Sequence, residues 1–306
     1  MTTLKLSLIA SLLILTTFTA CGTGPELTPE MQKEVKRFDD VTKLKELEQN
    51  IHQAMNQDEL LFYAPISINQ AKSYYEDAVE DDLKDEKMID YLHAKKALKH
   101  AYETKELVKK YLADVADIER RMQIQNTKEI FPDRYEDFQD DYKDLIKTID
   151  KGEISDALED KKDVMEDAKD LYGDAVVYRN INKAKMILEQ MDDDNLDDLA
   201  PHQYKKAQNL YKEVRLKIKK EPDDHAMIKN LAKETNESAL YAQTLAKDVF
   251  NFRALNKDEQ EAYFAKLHRE LAKLNPNELE NAILPLPLYE KINYLQDICT
   301  ISHHQK

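Results

Sequence analysis

"YAPISINQAKSYYEDAV", residues 63–79, decides the fold once it is set beside "IFPDRYEDFQDDYKDLI" (130–146) and "LAPHQYKKAQNLYKEV" (199–214). Pro65, Pro132 and Pro201 are spaced by 67 and 69 residues. With the prolines in register, the positions three on are Ile68, Tyr135 and Tyr204, and those six on are Ala71, Phe138 and Ala207. Ten on come Tyr75, Tyr142 and Tyr211, and thirteen on Ala78, Leu145 and Val214. Such intervals of three and four place all four positions on one stripe of an α-helix. Proline suits the first turn of a helix, where its missing N–H is no loss. Each proline is therefore predicted to open a helix whose buried face recurs.

A second helix is expected in each copy. Landmark alanines, Ala101, Ala168 and Ala239, lie 36, 36 and 38 residues past the prolines, and Val108, Ala175 and Ala246 stand seven further on. The stretches between are charged, and two of them contain Gly152 and Pro222, as turns should. In the first copy the stripe Tyr91, Ala94, Leu98, Ala101, Val108, Leu112, Val115, Met122 runs from Glu86 to Asn126 without Gly or Pro, interrupted at Lys105 and Glu119. This predicts one helix of roughly 40 residues, about 60 Å long. "VTKLKELEQ" (41–49) resembles "INKAKMILEQ" (181–190), and each precedes a proline helix. Modules of three helices, the last of one fused to the first of the next, would build a rod. The expected fold is all-α, an elongated array of antiparallel helical bundles or hairpins with about three repeats.

Composition agrees with long helices facing water. Of 306 residues, 45 are Lys or Arg and 60 Asp or Glu, giving a net charge of −15, with no Trp. There are four glycines, Gly22, Gly24, Gly152 and Gly173, too few for many tight turns or phosphate-cradling loops. The acidic balance argues against nucleic acid as a partner and against attachment to anionic lipid by charge alone.

The N-terminus has its own logic. Lys5 precedes the apolar run Leu6–Leu15, which is shorter than the roughly 20 residues a membrane span needs. A short charged start, a short apolar stretch and small residues at its end describe an export signal. Phe18-Thr19-Ala20-Cys21 resembles the lipobox of bacterial lipoproteins, with Phe18 where Leu is usual. The resemblance implies that Cys21 is diacylated on sulfur, that the signal is cut before it, and that the new α-amine is acylated too. Several acyl chains hold a protein to a membrane where one does not, each CH₂ contributing roughly 0.8 kcal/mol. In enterobacterial members of this family an Asp after the Cys directs inner-membrane retention. Gly22 stands there, which implies the outer membrane, facing the periplasm. The other cysteine, Cys299, is expected to be a lone apolar residue, so no disulfide framework is expected.

"YAPISINQAKSYYEDAVEDD" and the following "YLHAKKALKHAYETKELVKKYL" also resemble a class of bacterial envelope lipoproteins with helix-pair domains marked by Ala and Tyr. Ala64, Pro65, Ala71, Tyr75, Ala94, Ala97 and Ala101 carry the resemblance, over about residues 60–112 and more loosely in the later copies. Members often continue into a peptidoglycan-binding domain of the outer-membrane-protein-A type. That domain needs strands and Gly-rich turns that this sequence lacks.

Candidate chemistry is sparse. Asp192-Asp193-Asp194-Asn195-Leu196-Asp197-Asp198 lacks the Gly and Glu that a calcium-binding EF-hand loop needs at its sixth and twelfth positions, and reads as a solvated acidic loop. His93 and His100 are seven residues apart, too far along a helix to ligate one metal directly, and His303-His304 is a terminal pair. No nucleotide-binding loop or Gly-x-Ser-x-Gly motif occurs.

The divisions expected are a signal peptide over 1–20, a tether over 21–30, helical modules over 31–126, 127–190 and 191–254, and a degenerate helical module or cap over 255–306. The expected function is that of a non-enzymatic, lipid-anchored scaffold or adaptor of the bacterial cell envelope. Membrane attachment would be through acyl chains on Cys21, with a protein partner or peptidoglycan held on helical surfaces. No catalytic residue, cofactor or metal is expected. The alternative is a periplasmic chaperone or outer-membrane assembly factor that binds client chains.

Overall fold

In a computed structural model the described residues are 39–273, with 287, 290, 292 and 293 beyond them. Among these residues the secondary structure is helical and contains no strand, so the fold is all-α. The segments expected to be a signal peptide and a tether, Cys21, and most of the segment after Lys273 lie outside the described residues.

All three prolines open helices: Pro65–Glu80, Pro132–Asp150 and Pro201–Lys220. A residue before proline is barred from the α region. Ala64, Phe131 and Ala200 take nearly one backbone conformation, with φ/ψ of −143/54°, −134/67° and −138/54°. The carbonyl of each accepts the amide four residues on, from Ile68, Tyr135 and Tyr204, at 3.1, 3.0 and 2.9 Å. A short helical turn precedes each: Asp58–Tyr63, Thr127–Ile130 and the 3₁₀ turn Asp197–Leu199. The aligned stripe faces inward in each helix. Ile68, Ala71, Ala78, Tyr135, Phe138, Tyr142, Leu145, Ala207 and Val214 are buried, and Tyr75, Tyr204 and Tyr211 are half-buried.

The partner helices are Lys84–Tyr111, Ile154–Asp193 and His225–Ala254. They bury Ala101, Ala168 and Ala239 and, one heptad on, Val108, Ala175 and Ala246. The middle one has 40 residues and runs unbroken through 181–190, so the boundary drawn at residue 190 falls inside it. A helix of that length spans about 60 Å. Gly152, at φ 86°, ends the Pro132 helix in a Schellman turn, with Glu153 N–H bonded to Thr148 O at 3.1 Å. Asn195, at φ 53°, ends the 40-residue helix in the same way, with Leu196 N–H on Met191 O at 2.8 Å. Asp224 caps the third partner helix by accepting from Met227 N–H.

One expected helix is two. The run from Glu86 to Asn126 breaks at Leu112 into Lys84–Tyr111 and Ala113–Ile124. The cause is polar competition. Lys161 Nζ donates to Tyr111 O at 2.7 Å and pairs with Asp114 Oδ1 at 2.8 Å. Asp114 Oδ1 also takes the Val115 amide, which in a continuous helix would bond that same Tyr111 carbonyl. The two interruptions of the stripe are explained as well. Lys105 reaches Glu59 at 2.6 Å, and Glu119 accepts Gln139 Nε2 at 2.9 Å.

The chain divides into two compact units. Of the described residues, the first comprises 39–107 with 149–152. Its core joins Leu47, Ile51 and Leu60 to Ile68, Met88 and Leu98, with Ala71, Ala94 and Ala101 buried among them. Of the described residues, the second comprises 108–148 and those from 153 onward. Within it, Ile187, Leu188 and Met191 pack with Ala207, Ala239, Ala242 and Ala246, and the Tyr204 and Tyr211 rings cover them. Small residues here let helices approach closely. Gly173 lies so near the Pro201 helix that a Cβ there would meet Lys219 Cα at 3.4 Å.

Candidate functional site

The residue that sequence reasoning singles out, Cys21, lies outside the described residues, as do Cys299, His303 and His304. What the described chain offers is best judged from its buried polar groups, its grooves and its charged faces.

The most buried polar cluster stands at the start of the Pro65 helix. Ala64 has no side-chain oxygen to cap the free amides there. Asp150 fills that role from another helix. Its Oδ2 accepts from Ile66 N–H at 2.7 Å and Ser67 N–H at 3.0 Å, and its Oδ1 accepts from the Ser67 hydroxyl. His100 Nε2 donates to Asp150 O at 3.0 Å. Serine, histidine and aspartate meet here without forming a nucleophile. The Ser67 hydroxyl is spent on the carboxylate, the imidazole bonds a main-chain carbonyl, and Ser67 and Asp150 are 0% and 2% exposed. The cluster is a tertiary helix cap. A sequence signal for it existed, since a proline helix led by Ala64 must find its cap elsewhere, but nothing local names Asp150.

A second cluster joins the end of the Pro65 helix to the start of its partner. Asp90 has its carboxyl pushed up to about 6, by burial first and then by its hydrogen bond to Asp81 and the charges of Asp81, Asp77 and Glu86. Two carboxylates hydrogen-bond only when one holds a proton. Asp81 Oδ2 is buried and has no donor among the described residues, so a proton shared with Asp90 at low pH would supply one. His93, 3.7 Å from Asp90, is lowered by burial and by Lys96.

In the second unit Asp174 is bracketed by cations. Arg134 and Lys219 each reach both Asp170 and Asp174, at 2.5–3.1 Å, and Arg215 approaches Asp174 at 3.7 Å. Burial raises the Asp174 carboxyl, but hydrogen bonds from Arg134 and Lys219 outweigh it and hold the group below the usual range. This network ties the ends of two proline helices to one side of the 40-residue helix.

The grooves are open and lined by both polar and apolar surface. One, of about 740 Å³, is lined by Glu119, Gln123, Tyr135, Gln139 and Lys143 among others. Among the described residues no group of three or more His, Cys, Asp or Glu is placed to hold a metal ion. The acidic run 192–198 serves as the end of one helix and the approach to the next. No described helix is long and apolar enough to cross a membrane.

The charged faces are the most distinctive feature. On the Pro132 helix, Asp133, Glu136, Asp137, Asp140, Asp141 and Asp144 are all exposed. Across a groove, Asp160, Asp163 and Asp167 of the 40-residue helix face Asp141 and Asp144. The Asp141 carboxyl is raised by burial and by Asp137, Asp167, Asp144 and Asp140. The Pro201 helix has the opposite character, with Lys205, Lys206, Lys212, Arg215, Lys217 and Lys220 exposed on it. Leu216, 70% exposed, stands among them.

Comparison with known proteins found no family model that matches this chain, and no curated protein or solved structure similar to it.

Proposed function

We propose that this protein is a non-enzymatic, lipid-anchored scaffold or adaptor of the bacterial cell envelope, held by acyl chains on Cys21. It faces the periplasm from the outer membrane and presents helical surface to a protein partner or to peptidoglycan. The observation that carries the anchor is the passage from the short apolar run to Thr19-Ala20-Cys21-Gly22. The adaptor reading is supported by exposed helix faces dense in charge and by open grooves lined with polar side chains. A client-binding chaperone would call for an apolar groove of several hundred Å², and an enzyme for convergent, perturbed groups in an enclosed pocket. We also propose that the three proline-led helix pairs are copies of one module. The shared backbone at Ala64, Phe131 and Ala200 and the shared buried stripe support this.

The anchor is tested by Cys21→Ala. Loss of palmitate incorporation and release from the membrane fraction are expected, and unchanged retention would refute the anchor. Crosslinking in cells tests the adaptor role. A stoichiometric partner supports it, and a broad set of unfolded outer-membrane chains would replace it with the chaperone.

A further inference from the structure

The Pro201 helix carries a basic face that is only partly paired among the described residues, on a protein whose net charge is −15. Its inner stripe, Ala207, Val214 and Ile218, is buried. Its outer side places Lys205, Lys212, Leu216 and Lys220 along one stripe, at helical intervals of seven, four and four, with Lys206 and Lys217 beside them. The described residues neutralise little of this charge. Lys217 pairs with Glu213 and Lys220 touches Glu221 at 4.0 Å, while Lys212 meets the neutral Gln208. Lys205 and Lys206 make no ion pair among the described residues. Cations spaced in this way call for a row of carboxylates.

The same unit holds such a row. The acidic side of the Pro132 helix places six carboxylates between Asp133 and Asp144, which is about 16 Å of helix. Asp160, Asp163 and Asp167 extend it across the adjoining groove. Lys143 and Lys147 pair with Asp140 and Asp144, and Arg134 is committed to Asp170 and Asp174. Asp133, Glu136, Asp137 and Asp141 make no ion pair among the described residues. The Asp141 carboxyl is raised first by burial and then by the like charges crowded there.

We propose that a second copy of this chain is the occupant, the basic face of its Pro201 helix seated on the acidic side of the Pro132 helix of the first. The two surfaces belong to different parts of one chain, so the contact is heterologous and can repeat from copy to copy. Complementary charge at close range sets partner and register. The mutual repulsion of two acidic chains acts over longer distances, where salt of about 0.15 M screens it beyond roughly 8 Å. Leu216, at the centre of the basic stripe, adds a small apolar contact.

The test is sedimentation velocity on the full chain in non-ionic detergent. Self-association is expected at about 0.1 M salt and its loss at about 1 M. Two variants reverse the faces separately: Lys205→Glu/Lys212→Glu/Lys220→Glu, and Glu136→Lys/Asp137→Lys/Asp141→Lys. All six residues are exposed, so helix content by circular dichroism should be unchanged. Each variant alone should weaken self-association about tenfold or more, and an equimolar mixture of the two should restore it, because each then presents what the other needs. A monomer at every salt concentration, or a mixture that stays dissociated, overturns the proposal. So does a basic face whose reversal leaves self-association intact and abolishes binding to vesicles of anionic phospholipid. None of these results depends on acylation of Cys21, so failure here leaves the anchor untouched.

Discussion

Asp150 caps the Pro65 helix from a point 83 residues beyond Ser67, its carboxylate accepting both the amide and the hydroxyl of Ser67. Every polar atom involved is buried or nearly so, and three donors converge on one side chain. Replacing Asp150 with Ala would leave the Ile66 and Ser67 amides and the Ser67 hydroxyl without an acceptor. We expect a loss of about 2–3 kcal/mol in chemical denaturation, against about 1 kcal/mol for Ser67→Ala. Hydrogen exchange should locate the effect in the first turn of the Pro65 helix. Equal losses in the two variants would show that the carboxylate is not the centre of the cluster.

Asp90 gives a stability that depends on pH with an unusual sign. Its folded carboxyl stands at about 6 against an ordinary 3.8, so folding favours the protonated form. The stability this contributes is complete below the ordinary value and is lost as the pH rises through about 6. Asp90→Asn should therefore stabilise the protein at pH 7 by roughly 1 kcal/mol, a figure reduced for the partial exposure of the group. The gain should vanish near pH 4. Thermal unfolding across that range checks it, and a gain that does not vary with pH would count against the Asp81–Asp90 pairing.

The two described glycines should respond in opposite ways. Gly173 is helical, and an added Cβ would meet Lys219 backbone and Cβ atoms at 3.4–3.6 Å, an ordinary contact. Gly173→Ala should gain about 0.5–1 kcal/mol from helix propensity, whereas Gly173→Leu should lose more than that by forcing the Pro201 helix away. Gly152 sits in open space, but at φ 86°. Gly152→Ala should cost about 1 kcal/mol through backbone strain alone. Equilibrium unfolding of the three variants makes the comparison.

Lys161 holds the break at Leu112 from 50 residues away in sequence. Lys161→Met keeps the side-chain bulk and removes both the bond to Tyr111 O and the pair with Asp114. A loss of about 1–2 kcal/mol is expected, because the carbonyl and the carboxylate lose a charged donor. Asp114→Ala on the Lys161→Met background should restore part of it by letting the Val115 amide return to Tyr111 O. Additive losses in the double variant would refute the competition described for this turn.

The sequence was most legible where its rules are local. Proline at a first turn and apolar residues at intervals of three and four need no knowledge of the rest of the chain, and the helices and their buried stripes followed from them. Long-range causes were hidden. The Leu112 break has no Gly or Pro to announce it, because the competing donor is Lys161. The Asp150 cap left one trace, a proline helix led by Ala64, but did not give its own address. Lys105 and Glu119 looked like flaws in a stripe, and each is there to meet a distant polar side chain. Of the candidate sites, Cys21 rests on its neighbours in sequence alone. The opposed charges of the Pro132 and Pro201 helices were present in composition, but they gained meaning only once burial showed which side of each helix faces water.

The matching torsions at Ala64, Phe131 and Ala200 have an engineering consequence. Direction of entry into each following helix is set there by main-chain atoms, with a methyl group serving at two of the junctions and a benzyl group at the third. A graft that cuts just before one of these prolines and splices in the segment that starts at another should launch it along the same axis, whatever side chains it carries. Chimeras made at these seams offer a route to longer or shorter versions of the protein.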